Sequence, residues 1–414
     1  MIKKISLFIS VFSMIAVLAV KIPGQETETL SSLIKRAKNN NPEILAARAR
    51  WQASKSKVVQ EKTWEDPSLI VEYWSIPEGG FDVSSAMEKM YGISQKIPFP
   101  GKNYFKGKTA KAFADEIEWA YKDTELNILQ QLQASYGEYY FLSKAIETYG
   151  LYVDIMKSYA KTAESKYVVG KTTQNDVLKA QIETEKMSAM ITNLSQEKET
   201  KKAQINLLIG KGPSEALGNP EELLPAPIGL TIEELTTRAL QNSPLSKMQE
   251  ARFEQSVYRK KSANLEYAPD FDLAFRRKKV NEEWAGSDIM LGINIPLWFW
   301  KKRAGVIEMA REKEASNQDN LNAKLMVQYL IKEHTVALDN TLRLINLYRD
   351  SIIPKAEQSV KVSGSAYKAD KRDFLEFLTS ISALLDYKLS YYQYIADYYR
   401  DLSELEAAVG VALN

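Results

Sequence analysis

Residues 69–74 read Leu-Ile-Val-Glu-Tyr-Trp and residues 90–97 read Met-Tyr-Gly-Ile-Ser-Gln-Lys-Ile, with Gly79-Gly80 between them. Short runs of β-branched, aliphatic and aromatic residues on either side of a glycine-containing turn predict a β-hairpin. The pattern returns at residues 271–280 and 289–297, with Gly286 in the predicted connection. The sequence therefore predicts one hairpin in each half of the chain.

The hairpins belong to a longer internal duplication, in which matching residues lie 202 positions apart before the first hairpin and 200 apart from Gly92 onward. A loop shortened by two residues accounts for the change of register. The alignment is weaker around Pro98 and Pro296, where the offset is 198. The chain has only 14 prolines and 18 glycines, so matches of these types are hard to attribute to chance. The matching pairs include Leu33 and Leu235, Ala37 and Ala239, Pro42 and Pro244, Pro67 and Pro269, Gly92 and Gly292, Tyr167 and Tyr367, and Gly210 and Gly410.

The duplication sets the expected domain boundaries. A first repeat is predicted over residues 25–212 and a second over residues 230–414, separated by a linker at 213–229 that contains four prolines and cannot continue a helix. Within the repeats, the hairpins are expected at residues 68–98 and 270–298.

Helices fill the rest of each repeat. An amphipathic helix is predicted at residues 30–62 and again at 232–265, each with a proline near its start that reshapes the first turns. Long helices are predicted at 103–210 and 301–411. Apolar residues at spacings of three and four mark a coiled-coil-like seam in the first long helix. This stripe is Leu129, Leu132, Tyr136, Tyr139, Leu142, Ile146, Tyr149, Val153 and Met156.

The amino terminus predicts export. Lys3 and Lys4 precede an apolar run from Ile5 to Val20 and then polar residues, which is typical of a secretory signal peptide, expected here over residues 1–24. An uncleaved membrane anchor is the alternative. The chain has no cysteine, which excludes disulfides and thiolate metal sites, and its 55 basic and 53 acidic residues give no reason to expect nucleic acid as a partner.

The sequence contains no recognisable catalytic apparatus. It lacks a glycine-rich phosphate loop and a His-Glu-x-x-His motif. His334, the only histidine, is expected to be structural, so no metal, cofactor or enzymatic activity is predicted.

Four strands cannot satisfy their own edges in lipid. No segment after the signal peptide is apolar enough for a transmembrane helix, and outer-membrane barrels begin at about eight strands. An open sheet would leave unpaired backbone groups at a cost of several kcal/mol each. Three copies would supply twelve strands, although the arithmetic equally permits two or four.

Aromatic residues at the ends of the hairpins predict a membrane-interface belt. Trp298, Phe299 and Trp300 precede Lys301-Lys302-Arg303, and Phe99 occupies the corresponding place in the first repeat. Aromatics at the headgroup level with basic residues beyond them are typical of a membrane boundary. An aromatic plug in a soluble core is the alternative.

The order of these features resembles the TolC-like outer-membrane efflux proteins, especially the branch that serves heavy-metal and drug pumps of the resistance-nodulation-division type. The resemblance covers nearly the whole mature chain. It rests on Asn41-Pro42-Glu43, Pro67, residues Gln95 to Pro98, Tyr167-Val-Val-Gly-Lys171 and Asp176-Val177-Leu178.

The resemblance implies a mainly α fold with a small β part. Three protomers would form a twelve-stranded transmembrane β-barrel in the outer membrane, in contact with its lipid, and an α-helical barrel in the periplasm. The linker would lie in a mixed equatorial region. A periplasmic adaptor protein and an inner-membrane pump would be the partners, and the pump would supply the energy.

The resemblance also implies functional positions. The turns between the long helices would contact the adaptor at the periplasmic tips, and acidic residues just past the second turn would narrow the tunnel mouth. The tip residues are Val169, Gly170, Lys171 and Thr172 and Ala369, Asp370, Lys371 and Arg372, and the aperture residues are Glu376 and Asp373. An ordinary solvated helix face is the alternative for both acids.

Two other functions stay open at this point. One is a channel for type I protein secretion, and the other is a periplasmic coiled-coil scaffold that never enters a membrane. The cargo cannot be read from the sequence, because in such systems the pump selects what enters.

Overall fold

The computed structural model describes residues 27–76 and 82–413. The predicted signal peptide and the Gly79-Gly80 loop lie outside these ranges. The first repeat and the linker comprise, in chain order, β1 (Thr27–Glu28), α1 (Leu30–Asn40), α2 (Pro42–Lys62), β2 (Ser68–Trp74), β3 (Glu88–Ile97), α3 (Lys102–Val168), α4 (Gln174–Leu208) and β4 (Asn219–Pro220). The second repeat comprises α5 (Ile232–Asn242), α6 (Pro244–Leu265), β5 (Asp270–Val280), β6 (Glu283–Asn294), α7 (Phe299–Leu347), α8 (Ile353–Lys368) and α9 (Phe374–Val409).

The helix predicted at residues 30–62, and again at 232–265, is divided into two helices at the proline that was expected only to reshape its start. Asn41 and Ser243 adopt extended backbone angles at the breaks. Each precedes a proline, whose ring disfavours the helical conformation of the residue before it but suits the first position of the next helix. The Asn41 side chain caps α2 by accepting hydrogen bonds from the backbone N–H groups of Glu43 and Ile44.

The long helices set the length of the molecule. α3 has 67 residues without interruption, which corresponds to about 100 Å. The second repeat instead inserts a π-helical turn at Tyr348–Ile352 between α7 and α8. Pro354 follows it and lacks the N–H that a continuous α-helix requires, so the wider turn accommodates the lost hydrogen bond.

The two hairpins form one antiparallel sheet in the order β2-β3-β5-β6. Gly92 lies opposite Ile70 on one side and Arg276 on the other. The second strand of the second hairpin was predicted at residues 289–297, but β6 begins earlier, at Glu283. Asn281 and Glu282 form the turn with φ of 46° and 68°, as a two-residue hairpin turn with both central residues at positive φ requires.

Each repeat closes on the break in its first helix. Gly210, just past α4, lies against the backbone of Asn40, and Gly410, just past α9, lies against that of Asn242. The buried Asn41 amide also donates to the carbonyl of Leu208 over 2.9 Å. The glycine contact is therefore the same in both repeats, in agreement with the duplication seen in the sequence.

Two large buried clusters and a small third one of Leu142, Ala145 and Leu194 hold the described helices together. The largest lies beside the linker and includes Leu33, its counterpart Leu235, and Tyr136. The second lies toward the α3–α4 and α8–α9 turns and includes Met156 and Phe377. The chain is therefore mainly helical with a small β part, as predicted.

Candidate functional site

The four-stranded sheet has one apolar face that no part of the described chain covers. Side chains alternate between the two faces of a strand, so every second residue shares a side. The apolar face consists of Leu69, Val71, Tyr73, Tyr91, Ile93, Leu273, Phe275, Ile289, Leu291 and Ile293, all at least 37% exposed. A contiguous apolar surface of this kind on a folded protein marks contact with lipid or with another protein.

The opposite face of the sheet is charged. Lys278 donates to Glu88 on the neighbouring strand over 2.6 Å. Arg276 on β5 lies 3.8 Å from Glu72 on β2, across the intervening β3. The same face carries Asp272, Asp288, Met90 and Met290. The sheet thus separates an apolar environment from an aqueous one.

In the described part of the chain, β2 and β6 each pair on one side only. Their outer edges therefore leave backbone N–H and C=O groups without strand partners within the protomer. The two edges are different strands, so a second copy can extend the sheet by placing its β2 beside β6.

Aromatic side chains lie at both ends of the apolar face. At the hairpin turns, the Trp284 ring lies 4.1 Å from the Arg277 guanidinium and also contacts Tyr91. At the helical end, Trp298, Phe299 and Trp300 are each more than half exposed, and the two indoles lie 5.3 Å apart.

Phe99 is placed differently from the other three predicted belt residues. It is only partly exposed, and its backbone N–H donates to Asp270 over 2.9 Å. The buried Lys102 ammonium contacts the same carboxylate over 2.8 Å. The first repeat thus uses this position mainly to join α3 to β5.

The two predicted tip turns lie side by side and are linked by charge. Gly170 has φ of 71° and Asp370, its counterpart, has φ of 57°, so both turns use a left-handed residue. Lys166 and Lys171 both donate to the Asp370 carboxylate, Lys171 over 2.7 Å. These two hydrogen bonds lower the pKa of Asp370 to about 2.

The remaining tip residues are exposed or partly exposed. The Val169 side chain is 66% exposed and has no buried partner in its turn. Thr172 donates to Asp176 over 2.8 Å, which stiffens the start of α4. Ala369 and Lys371 close the second turn through backbone hydrogen bonds to Ser365 and Ala366.

Both predicted aperture residues have local partners. Asp373 caps α9 by accepting from the backbone N–H of Glu376 over 2.9 Å. The Glu376 carboxylate pairs with Arg372 over 3.0 Å and lines a groove of about 390 Å³ between α8 and α9. Each acid therefore contributes to the start of α9, and their role at a tunnel mouth stays a prediction.

The linker is held by tyrosine hydroxyls that the sequence analysis treated as packing. Tyr136 donates to the Glu28 carbonyl over 2.7 Å and accepts from the Glu221 N–H over 2.9 Å. Tyr139 donates to the Gly218 carbonyl over 3.0 Å, and burial raises its pKa to about 12. Their helical spacing placed them on one face of α3, but only the folded chain identifies their partners.

His334 Nδ1 lies 3.2 Å from Glu404 on α9, in keeping with a structural role. No group of His, Cys, Asp and Glu within residues 27–76 and 82–413 is placed to hold a metal ion.

In the same part of the chain, no helix is both long enough and apolar enough to cross a membrane.

Comparison with known proteins agrees with this geometry. The family model described as outer membrane efflux protein matches residues 33–211. No curated protein matches the chain. The match confirms the predicted resemblance, and an outer-membrane location follows from it.

Solved structures share the fold over almost the whole chain. The outer membrane protein VceC of Vibrio cholerae is 15% identical, with a TM-score of 0.77 over 93% of this chain and 97% of that one. The MtrE outer membrane channel of Neisseria gonorrhoeae is 14% identical, with a TM-score of 0.76 over 93% and 89%. The CmeC outer membrane channel of Campylobacter jejuni is 14% identical, with a TM-score of 0.71 over 92% and 85%. The chain thus shares its fold with outer-membrane channel proteins.

Proposed function

We propose that this chain is the outer-membrane channel component of a tripartite efflux system. It is a passive conduit that carries small molecules or metal ions from the periplasm to the exterior, and it works with a periplasmic adaptor and an inner-membrane pump. One observation carries the proposal: an uncovered apolar sheet face with two free edges stands at one end of helices about 100 Å long.

The sheet has the dimensions of a membrane segment. β6 has 12 residues, or about 40 Å along the strand. A tilt of about 40° reduces this to about 30 Å across the bilayer, which matches the hydrocarbon thickness. Trp284 then lies at the outer boundary and Trp298 to Trp300 at the periplasmic one, where Phe99 contributes less because it is partly covered.

Closure requires identical copies. The β2 and β6 edges differ, so each copy offers one edge and receives the other, and a ring of such contacts closes without leaving an edge. We propose a homotrimer with a twelve-stranded barrel. The paired charges of Arg276 and Lys278 would then face its aqueous interior.

The tips at the far end of the helices are proposed to dock the adaptor. The turn residues 169–172 and 369–372 are held together by Lys166, Lys171 and Asp370 and present one continuous surface. Asp373 and Glu376 follow this surface and are proposed to line the tunnel mouth. A conduit of this kind needs no catalytic group, because the pump supplies the energy.

Cross-linking between copies tests the assembly, and the absence of cysteine makes every introduced thiol unique. Val71→Cys on β2 is combined in turn with a cysteine at 287, 289, 291 or 293 on β6, and the protein is oxidised in outer-membrane preparations. We expect dimer and trimer bands for at least one combination.

A matched control separates contacts between copies from those within one. Ile93→Cys with Phe275→Cys joins directly opposed residues of the same chain, so it should give no higher band. A carbonate wash adds a second criterion, because a barrel stays with the membrane whereas a periplasmic scaffold is released. Release without cross-links between copies would overturn the proposal, whereas retained trimers that co-purify with a protein-secretion system would redirect it to protein cargo.

A further inference from the structure

The second repeat carries two cationic side chains at the membrane boundary that the fold does not use. Lys301 and Arg303 are exposed, and neither makes an ion pair within the described ranges. They directly follow Trp298 and Trp300. Building on the membrane assignment proposed above, we infer that residues Trp298–Arg303 form a binding site for the phosphate headgroups of anionic phospholipids in the periplasmic leaflet.

Comparison of the two repeats shows which basic residues near the membrane boundary have a structural partner. In the register that links Gly92 to Gly292 and Tyr167 to Tyr367, Lys302 corresponds to Lys102. Both of these lysines are neutralised, Lys102 by Asp270 over 2.8 Å and Lys302 by Glu266 over 2.9 Å. Lys102 therefore helps to fix α3 to β5, and Lys302 helps to fix α7 to the end of α6.

The neighbouring positions differ between the repeats. In this register Gly101 and Asn103 correspond to Lys301 and Arg303, so the first repeat has no cation at either position. The two extra cations, like the two extra indoles, are therefore available for a ligand outside the protomer.

The position of this segment favours lipid as the ligand. The exposed apolar residues of β6 continue beyond the strand through Ile295 and Leu297, 62% and 61% exposed, and lead directly to Trp298. Indole rings settle at the headgroup level, where their N–H groups reach polar partners. Lys301 and Arg303 come next along the chain, on the side of the membrane where the helices begin.

The chemistry of the two cations favours an anionic headgroup. Arginine forms bidentate hydrogen bonds to phosphate oxygens, and lysine adds a compact positive charge. A basic residue near a charged membrane surface contributes about fivefold to binding, so the pair should prefer anionic over zwitterionic lipid by on the order of tenfold or more.

Quenching of tryptophan fluorescence by brominated lipid measures this preference. The purified trimer is reconstituted in phosphatidylcholine vesicles that contain a minor fraction of brominated phosphatidylglycerol, or of brominated phosphatidylcholine for comparison. We expect the wild type to be quenched more by the anionic lipid, and Lys301→Gln with Arg303→Gln to abolish the difference. High salt should weaken it in the wild type.

Controls keep the test independent of folding and of the proposed function. Arg311→Gln with Lys313→Gln removes the same charge lower on α7 and should leave the preference unchanged, whereas Lys301→Arg with Arg303→Lys should retain it. Equal enrichment of anionic lipid around wild type and the glutamine variant, with trimers intact, would overturn the inference alone. Failure to form membrane-embedded trimers would instead count against the proposed function. Loss of adaptor binding with an unchanged lipid preference would assign the patch to protein and also overturn the inference.

Discussion

The glycines that close the two repeats allow a sharp test of the packing. Gly210 has φ of 74°, and a Cβ there would lie 2.4 Å from the Asn40 carbonyl oxygen. Gly170 has nearly the same φ, 71°, but a Cβ there would meet nothing within 4 Å. Replacing each by alanine therefore imposes the same backbone strain and differs only in the steric clash.

The two contributions can be estimated separately. An alanine in the left-handed region costs about 1–2 kcal/mol. Forcing extra volume into a packed site costs about 1–3 kcal/mol more. Gly170→Ala should therefore lower stability by about 1–2 kcal/mol and Gly210→Ala by about 2–5 kcal/mol.

Thermal unfolding of the purified protein, followed by far-ultraviolet circular dichroism, measures the difference. Gly410→Ala should behave like Gly210→Ala, because its Cβ would lie 2.2 Å from the Asn242 carbonyl oxygen. The reasoning fails if Gly210→Ala unfolds at the same temperature as Gly170→Ala.

Two further predictions concern the linker and the tips. Tyr136→Phe should destabilise the protein by about 1–3 kcal/mol, because it leaves the Glu28 carbonyl and the Glu221 N–H without their shared partner. Denaturant unfolding measures the loss of stability. An effect no larger than that of Tyr329→Phe, at an exposed site, would contradict the prediction. The folded-state pKa of Asp370 is lowered to about 2 from an ordinary 3.8, so its stabilising contribution is complete above about pH 4 and is lost as the pH falls toward 2. Hydrogen exchange at residues 169–172, corrected for intrinsic rates, should therefore not change between pH 5 and pH 8 in the wild type, whereas Asp370→Asn should accelerate it and Asp350→Asn should not; a pH-dependent wild type would refute the assignment.

Features with a local cause could be predicted from the sequence. The hairpins, the long helices and the duplication follow from residue periodicity and from matching prolines and glycines. The left-handed turn at Gly170 was likewise recognisable. Asp370 departs from that pattern in sequence but adopts the same backbone conformation, stabilised by two lysines from the other repeat.

The sequence did not predict the turn of the second hairpin or the hydrogen-bond partners of the buried tyrosines. Gly286 suggested the turn of the second hairpin, but Asn281 and Glu282 took the positive φ angles and left Gly286 inside β6, next to a bulge. The hydrogen bonds of Tyr136 and Tyr139 to the linker join residues that lie 85 and 79 positions apart in sequence. Side-chain spacing along one helix carries no information about such partners.

The two free sheet edges are formed by different strands, β2 and β6, and this difference has a genetic consequence. In the proposed ring of three, every subunit gives one edge and receives another, so a single defective β2 or β6 would leave one seam open. If defective and normal chains are made in equal amounts and mix at random, only about one ring in eight contains no defective chain. Edge mutations in this protein should therefore be dominant, whereas mutations that prevent a chain from folding should be recessive because the chain never enters a ring.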